Sequence, residues 1–152
     1  MMRAISVRHP WAWAILHGKP IENRGKPWPL GEYALHASRL PEPGKRGRPP
    51  LWFMEDWYAA KAMSGKAGLD WDSGPKLTYG ILMEMSGAII GTLDVTANVT
   101  SHPSPFYIPS KFGLVLANVR AITPIPCKGA LGAWVVPPKI EAQVRAGGQG
   151  NG

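Results

Sequence analysis

Lys19, Glu22 and Arg24 are the residues of this chain whose types and spacing best suit chemistry. They lie in Gly18-Lys19-Pro20-Ile21-Glu22-Asn23-Arg24, an extended stretch between a helix end and a Pro/Gly-rich turn. Strand alternation places Glu22 and Arg24 on one face, with Lys19 close by at the turn. A glutamate flanked by two cations stays ionised, and such a trio can order itself around a phosphate or a base edge. Arg24 would then clamp a phosphate or a carbonyl pair bidentately, with Lys19 as a movable point charge. Glu22 could accept from an exocyclic amine, as acidic side chains do with cytosine N4. The same pattern also suits an internal salt-bridge network that fixes the first hairpin.

Other candidates surround this trio. Trp11 and Trp13 sit on opposite sides of a short helix, so one packs inward while the other, Trp11 by our reading, can stack on an unpaired base. Arg8 ends the preceding strand and joins the basic set. Lys45, Arg46 and Arg48 offer backbone-phosphate contacts or form a solvated loop. Lys128, with Lys111 and Arg120, extends a basic rim. His9 and His36 are placed to reach one cleft, and His17 and His102 complete the groups able to do acid–base work near neutral pH. Thr92, Thr96, Ser38 and Ser101 are the candidate hydroxyl nucleophiles, and no spacing promotes one of them. The ten acidic residues are scattered, which gives a two-metal site little support, so neither a metal nor a cofactor is expected.

These side chains need elements to hold them. Arg3-Ala4-Ile5-Ser6-Val7-Arg8 alternates as a strand, and His9-Pro10 breaks it ahead of a short, largely buried helix from Trp11 to His17 that Gly18 ends. Glu32 to Ala37, Ala88 to Val99, Phe112 to Ile122 (bent near Asn118) and Trp134 to Val136 read as further strands. Pro124 to Gly129 reads as a stiff turn. Leu51 to Met63 reads as a helix with Leu51, Met54, Trp57, Tyr58 and Ala62 as its core-facing stripe. A second short helix is expected from Pro138 to about Arg145. The basic stretch 41–50 is an exposed loop. Residues 64–75 form a turn-rich connector and the expected disordered internal segment, and the tail 147–152 is expected to fray.

Length and composition bound the result. A chain of 152 residues suits one domain, here 1–146, with one core. Eighteen glycines and sixteen prolines argue against a helical bundle and for short elements joined by defined turns. We therefore expect a mixed α+β fold: a curled sheet of about six strands, forming a small open barrel, with two or three peripheral helices. The single cysteine, Cys127, excludes an intramolecular disulfide. No signal peptide and no membrane span are expected, and the location is expected to be cytoplasmic. A net charge of +7 favours an anionic partner, nucleic acid foremost.

Ser6-Val7-Arg8-His9-Pro10-Trp11-Ala12, followed by Gly18 to Arg24, resembles the opening of an ASCH domain. The family pattern of a glycine, a lysine, a glutamate three positions on and an arginine two further is met by Gly18, Lys19, Glu22 and Arg24. Gly87-Ala88-Ile89-Ile90-Gly91 is similar to the family's central strand. Phe112 to Arg120, and Ile125-Pro126-Cys127-Lys128-Gly129 through Trp134, are similar to its closing strands. The resemblance spans Arg3 to Val136. It implies a PUA-like pseudobarrel with a cleft between the first helix and the barrel that faces nucleic acid, RNA ahead of DNA, or a modified nucleotide. Three functions follow as expectations. The first is a binder of single-stranded RNA or of a modified nucleotide. The second is a hydrolase of RNA or of N4-acetylcytidine-like nucleosides, in which Lys19 and Glu22 would be catalytic. The third is a protein-interaction adaptor. In the acetylcytidine hydrolase of the family a threonine nucleophile stands three positions after the lysine. Here that position is Glu22, which departs from the pattern.

Overall fold

Alternating side chains make Arg3–Val7 strand β1, and the short apolar helix α1, Trp11–Leu16, follows it directly. β2 (Ile21–Arg24) and β3 (Gly31–Ala37) come next, then a single 3₁₀ turn at Lys45–Gly47. α2 (Leu51–Lys66) and α3 (Tyr79–Glu84) lead into the two long strands β4 (Ala88–Val99) and β5 (Phe112–Pro126). β6 (Trp134–Val135) and α4 (Pro138–Arg145) close the order. The computed structural model describes residues 1–72 and 76–148. Among the described residues no helix is long and apolar enough to cross a membrane.

The fold is mixed α+β. One six-stranded sheet runs in the order β2-β5-β4-β3-β1-β6, with β1 and β3 parallel and the other pairs antiparallel. β2 and β6 are edges, so no backbone ladder closes the sheet into a barrel. It bends nonetheless. The β4–β5 register shifts at three places, and Asn118 in β5 takes φ +50° while its amide donates to Asp94 at 2.7 Å. Such bulges bend a strand and increase its twist. Gly91 sits where the two chains press closest, and a Cβ there would lie 2.5 Å from the Arg120 carbonyl oxygen.

Both faces of the sheet are covered. On one, Ile5, Leu35, Ile90, Leu93 and Leu114 meet Ala12 and Ile15 of α1. On the other, Ala4, Ala34, Ile89 and Ile125 meet Val144 of α4. Outside α1 a third apolar cluster joins Trp13 and Ala14 to Phe53 of α2 and Leu82 of α3.

Several boundaries differ from the sequence reading. α3 is an additional helix, started by Thr78, whose hydroxyl accepts from the Ile81 N–H. Pro124 to Pro126 does not turn: Ile125 pairs with Ile89, and beyond Val115 the flank of β5 away from β4 carries no strand. Prolines there leave no ladder bond unmade. In α2 the buried positions are Phe53, Ala60 and Ser64, with Trp57 beside them, whereas Leu51, Tyr58 and Ala62 face water. The helix is wedged between α1 and α3 by its aromatic rings and lacks a single apolar stripe. It also runs three residues into the expected connector. Trp71 then docks the chain back, its indole donating to the His17 carbonyl at 2.9 Å with its ring edge-on to Trp13 at 4.9 Å. Residues 73–75 of that connector and tail residues 149–152 lie outside the described residues. Gly147 and Gly148 cap α4, with Gly148 donating to the Gln143 carbonyl.

His9 belongs to this framework. Its Nδ1 accepts from the Trp13 N–H at 3.2 Å, and Nε2 donates to the Met85 carbonyl at 3.3 Å, tying the start of α1 to the end of α3. It is fully buried, and burial lowers its pKa from 6.5 to about 4. The unfolded imidazole takes up a proton near pH 6.5 and the folded one only near pH 4, so protons favour the unfolded chain between those values. Folding stability should therefore fall by about 3 kcal/mol across that window. Urea midpoints measured at half-unit steps of pH will read this slope, and His9→Gln should flatten it. An unchanged slope in the variant would assign the acid sensitivity to other groups.

Candidate functional site

The end of α1 fixes the first cation. Gly18 takes φ +106°, and the Lys19 N–H bonds back to the Ala14 carbonyl at 2.9 Å, closing the helix in the manner of a Schellman cap. The Lys19 side chain is thereby turned inward and is only 3% exposed. Two residues later β2 begins and pairs with β5, with Glu22 opposite Leu114. Strand alternation puts Glu22 and Arg24 on the face that Lys19 reaches.

The trio forms one buried network. Glu22 accepts from Lys19 Nζ on Oε1 and from Arg24 Nη2 on Oε2, both at 2.8 Å. Arg24 Nη2 also donates to the Ser6 carbonyl at 2.9 Å. That bond joins edge strand β2 to β1, four strands away along the sheet, so a side chain spans the gap that the backbone leaves open. Burial alone would push the Glu22 carboxyl up. The charges of Lys19 and Arg24, and their hydrogen bonds, outweigh it and hold the pKa below the usual carboxylate range. Each cation also faces an aromatic ring: Lys19 Nζ lies 5.5 Å from the centre of Trp11, and the Arg24 guanidinium 5.1 Å from that of Trp28. Arg24 Nε is buried without a hydrogen-bond partner.

Beside the network opens a cleft of about 400 Å³. Trp11 from α1, Lys19 just past its end, Arg8 beyond β1, and Asp56 and Met63 from α2 line it with Glu22 and Arg24. Arg8 lies 4.5 Å from the centre of Trp52 and bonds Asp56 at 2.8 Å, linking the end of β1 to α2. The remaining wall is the loop before β5. Asn23 holds it, donating to the Phe106 carbonyl and accepting from the Ile108 N–H, both at 2.9 Å.

Five of the residues singled out from the sequence thus converge: Arg8, Trp11, Lys19, Glu22 and Arg24. Trp13 is the inward tryptophan, and Trp11 is half-buried, packed against the core while lining the cleft. The other basic candidates do not join them. Lys45, Arg46 and Arg48 are exposed on the 41–50 loop, and Lys128 is exposed after β5; none lines the cleft. Asn23, Asp56, Met63, Phe106 and Ile108 had not been singled out. Asn23 was within the motif, but its role as a loop clamp depends on a segment more than eighty residues later.

The candidate acid–base and hydroxyl groups lie elsewhere. His9 is the buried strut described above. His17 stacks on Trp13 at 4.1 Å, and His102 accepts from the Ser104 N–H at 3.0 Å. His36 is on the opposite side of β1 from the network. Its Nε2 donates to the Cys127 carbonyl at 2.8 Å, leaving Nδ1 to accept from the Ser6 hydroxyl at 3.2 Å, and Trp134 Nε1 donates to Ser6 Oγ at 3.0 Å. Burial keeps the His36 pKa low. Gly129 packs over this pair so closely that a Cβ there would meet the imidazole at 2.5 Å. His9 and His36 therefore do not share the cleft. Thr92, Thr96, Ser38 and Ser101 do not line it either.

Replacing Glu22 with Gln leaves buried Lys19 and half-buried Arg24 without their carboxylate, whereas Lys19→Met leaves Glu22 paired to Arg24. Urea unfolding should find Glu22→Gln less stable than wild type by about 3–5 kcal/mol, and Lys19→Met less affected. Equal losses would mean that the carboxylate does not organise the site. No protein-family model matches the chain, and no curated protein matches it.

Proposed function

We propose that this protein is a nucleic-acid-binding domain of the ASCH kind, holding one unpaired nucleotide of a single strand, RNA ahead of DNA, in the cleft beside Lys19, Glu22 and Arg24. The observation that carries this reading is the make-up of the cleft. Arg8, Lys19 and Arg24 stand beside the half-buried ring of Trp11, and the cleft has no histidine. Its one hydroxyl residue, Ser6, has its Oγ engaged by His36 and Trp134.

Such a lining favours recognition over cleavage. A hydroxyl nucleophile needs a base in reach, and Lys19 has its ammonium on a carboxylate. Trp11 offers a π-face for any base, and Arg8 and Arg24 offer donors for base-edge carbonyl or phosphate oxygens. Glu22 retains lone pairs beyond the two bonds it accepts, so an exocyclic amine can still be bound. The +7 net charge supports attraction to a polyanion. The preference for RNA rests on the sequence resemblance, and a cytoplasmic location accompanies it.

Fluorescent single-stranded RNA should bind at low salt and weaken steeply as salt is raised, with a log–log slope of about −0.7 per phosphate contact. Trp11→Ala should lower affinity about ten-fold without changing that slope, because stacking carries no charge. Absence of binding at low salt would overturn the proposal. RNA cleaved by repurified protein in the presence of a chelator would replace it with the hydrolase reading.

A further inference from the structure

On the far side of Ser6 lies a second hollow, of about 310 Å³. Ser6 lines both: its carbonyl is held by Arg24 at the cleft, and its hydroxyl is held by His36 and Trp134 at the hollow. The hollow flanks the carboxyl ends of the parallel strands β1 and β3, where Ser38 and Arg39 continue β3 and the Ser38 N–H bonds the Val7 carbonyl. No acidic residue lines it. Arg39 is exposed, as is Lys128 next to the lining residue Gly129, and among the described residues neither forms an ion pair. Leu131, on the same loop, presents its side chain to water at 98% exposure.

We propose that this hollow is a second nucleotide subsite, adjoining the cleft at Ser6. It takes the phosphate and ribose next to the base held in the cleft. The inference rests on the reading above and deepens it: the ligand is a strand, and a free nucleoside or mononucleotide fills only half of the site. The chemistry of the two halves differs in the way such a division requires. In the cleft the cations are tied to carboxylates beside an aromatic ring, which suits a base edge. In the second hollow Arg39 and nearby Lys128 carry no such partner and remain available to a phosphate. Hydroxyls at Ser38 and on ribose are matched donors and acceptors, and Leu131 offers an apolar face to the sugar.

The test compares a mononucleotide with single-stranded RNA hexamers as competitors against one fluorescent hexamer. It uses the wild type, the double variant Arg39→Ala/Lys128→Ala, and Lys139→Ala as a control, since Lys139 is exposed on α4 and lines neither hollow. The wild type should prefer the hexamer by about ten-fold or more, and the double variant should lose most of that preference while keeping its affinity for the mononucleotide. Its salt slope on the hexamer should fall by about 0.7 for each phosphate contact removed, and Lys139→Ala should change neither quantity. A mononucleotide that competes as well as the hexamer in the wild type would overturn the second subsite alone. So would a length preference that survives in the double variant. Failure of every length to bind would overturn the binding reading together with it.

Discussion

A carboxylate taken out of water costs several kcal/mol unless cations and hydrogen bonds meet it, and at Glu22 a lysine from a helix end and an arginine from its own strand do so. Much else follows from that arrangement. Lys19 must enter at the C-terminus of α1, which requires the Gly18 cap. Arg24 must lie on the same face of β2, which requires one intervening residue, Asn23, whose side chain then points to the opposite face and anchors the loop before β5. Because Arg24 also binds the Ser6 carbonyl, the network reaches β1. It thereby holds a sheet that has two free edges in a curled form. The cleft is the space left beside this side-chain closure.

Ser6 is where the two sides of the molecule meet. Its peptide oxygen belongs to the ionic network and its hydroxyl to a neutral one with His36 and Trp134. A serine bonded to a histidine invites a catalytic reading, but the surroundings argue against it. Gly129 lies on the imidazole, and Nε2 is spent on a backbone carbonyl. Trp134 donates into the hydroxyl oxygen, drawing on the lone pairs that an attack would need. The pair fixes the relation of β1, β3 and the loop after β5. It shapes both hollows without acting in either.

The sequence made much of this legible. Alternation in Arg3–Val7 and Ala88–Val99, the Gly18 stop and the short charged motif gave the elements and the chemical trio, because all are local. The motif also allowed two outcomes, a site or a structural salt bridge, and the folded chain shows the salt-bridge network, which lines a cleft. What local pattern did not reveal depends on distant partners. Asp56 enters the site only because α2 packs on α1, and His9 and His36 part company because the sheet stands between them. Pro124 and Pro126 read as a turn, since nothing in their neighbourhood says that one flank of β5 is empty. The face of α2 was misassigned for a related reason. A helix packed by aromatic rings against two other helices buries Phe53 and Trp57 without displaying one apolar stripe.

The state of the cations in the cleft bears on how a ligand would be received. Lys19 and Arg24 together carry more N–H donors than Glu22 and Ser6 accept, and Arg24 Nε is buried with nothing to bond. A guanidinium N–H left without an acceptor is unfavourable. A ligand oxygen that draws the guanidinium slightly out of its pocket could relieve it without breaking the Glu22 pair. The carboxylate would stay ionised meanwhile, because Lys19 remains on its other oxygen. Binding would then add hydrogen bonds to a site whose charges are already in place, with little reorganisation. Exposed cations elsewhere, on the 41–50 loop and around Lys128, lack such support. On the proposed reading, those of the 41–50 loop would attract a polyanion from a distance, whereas the ion-paired trio would set where on the molecule it comes to rest.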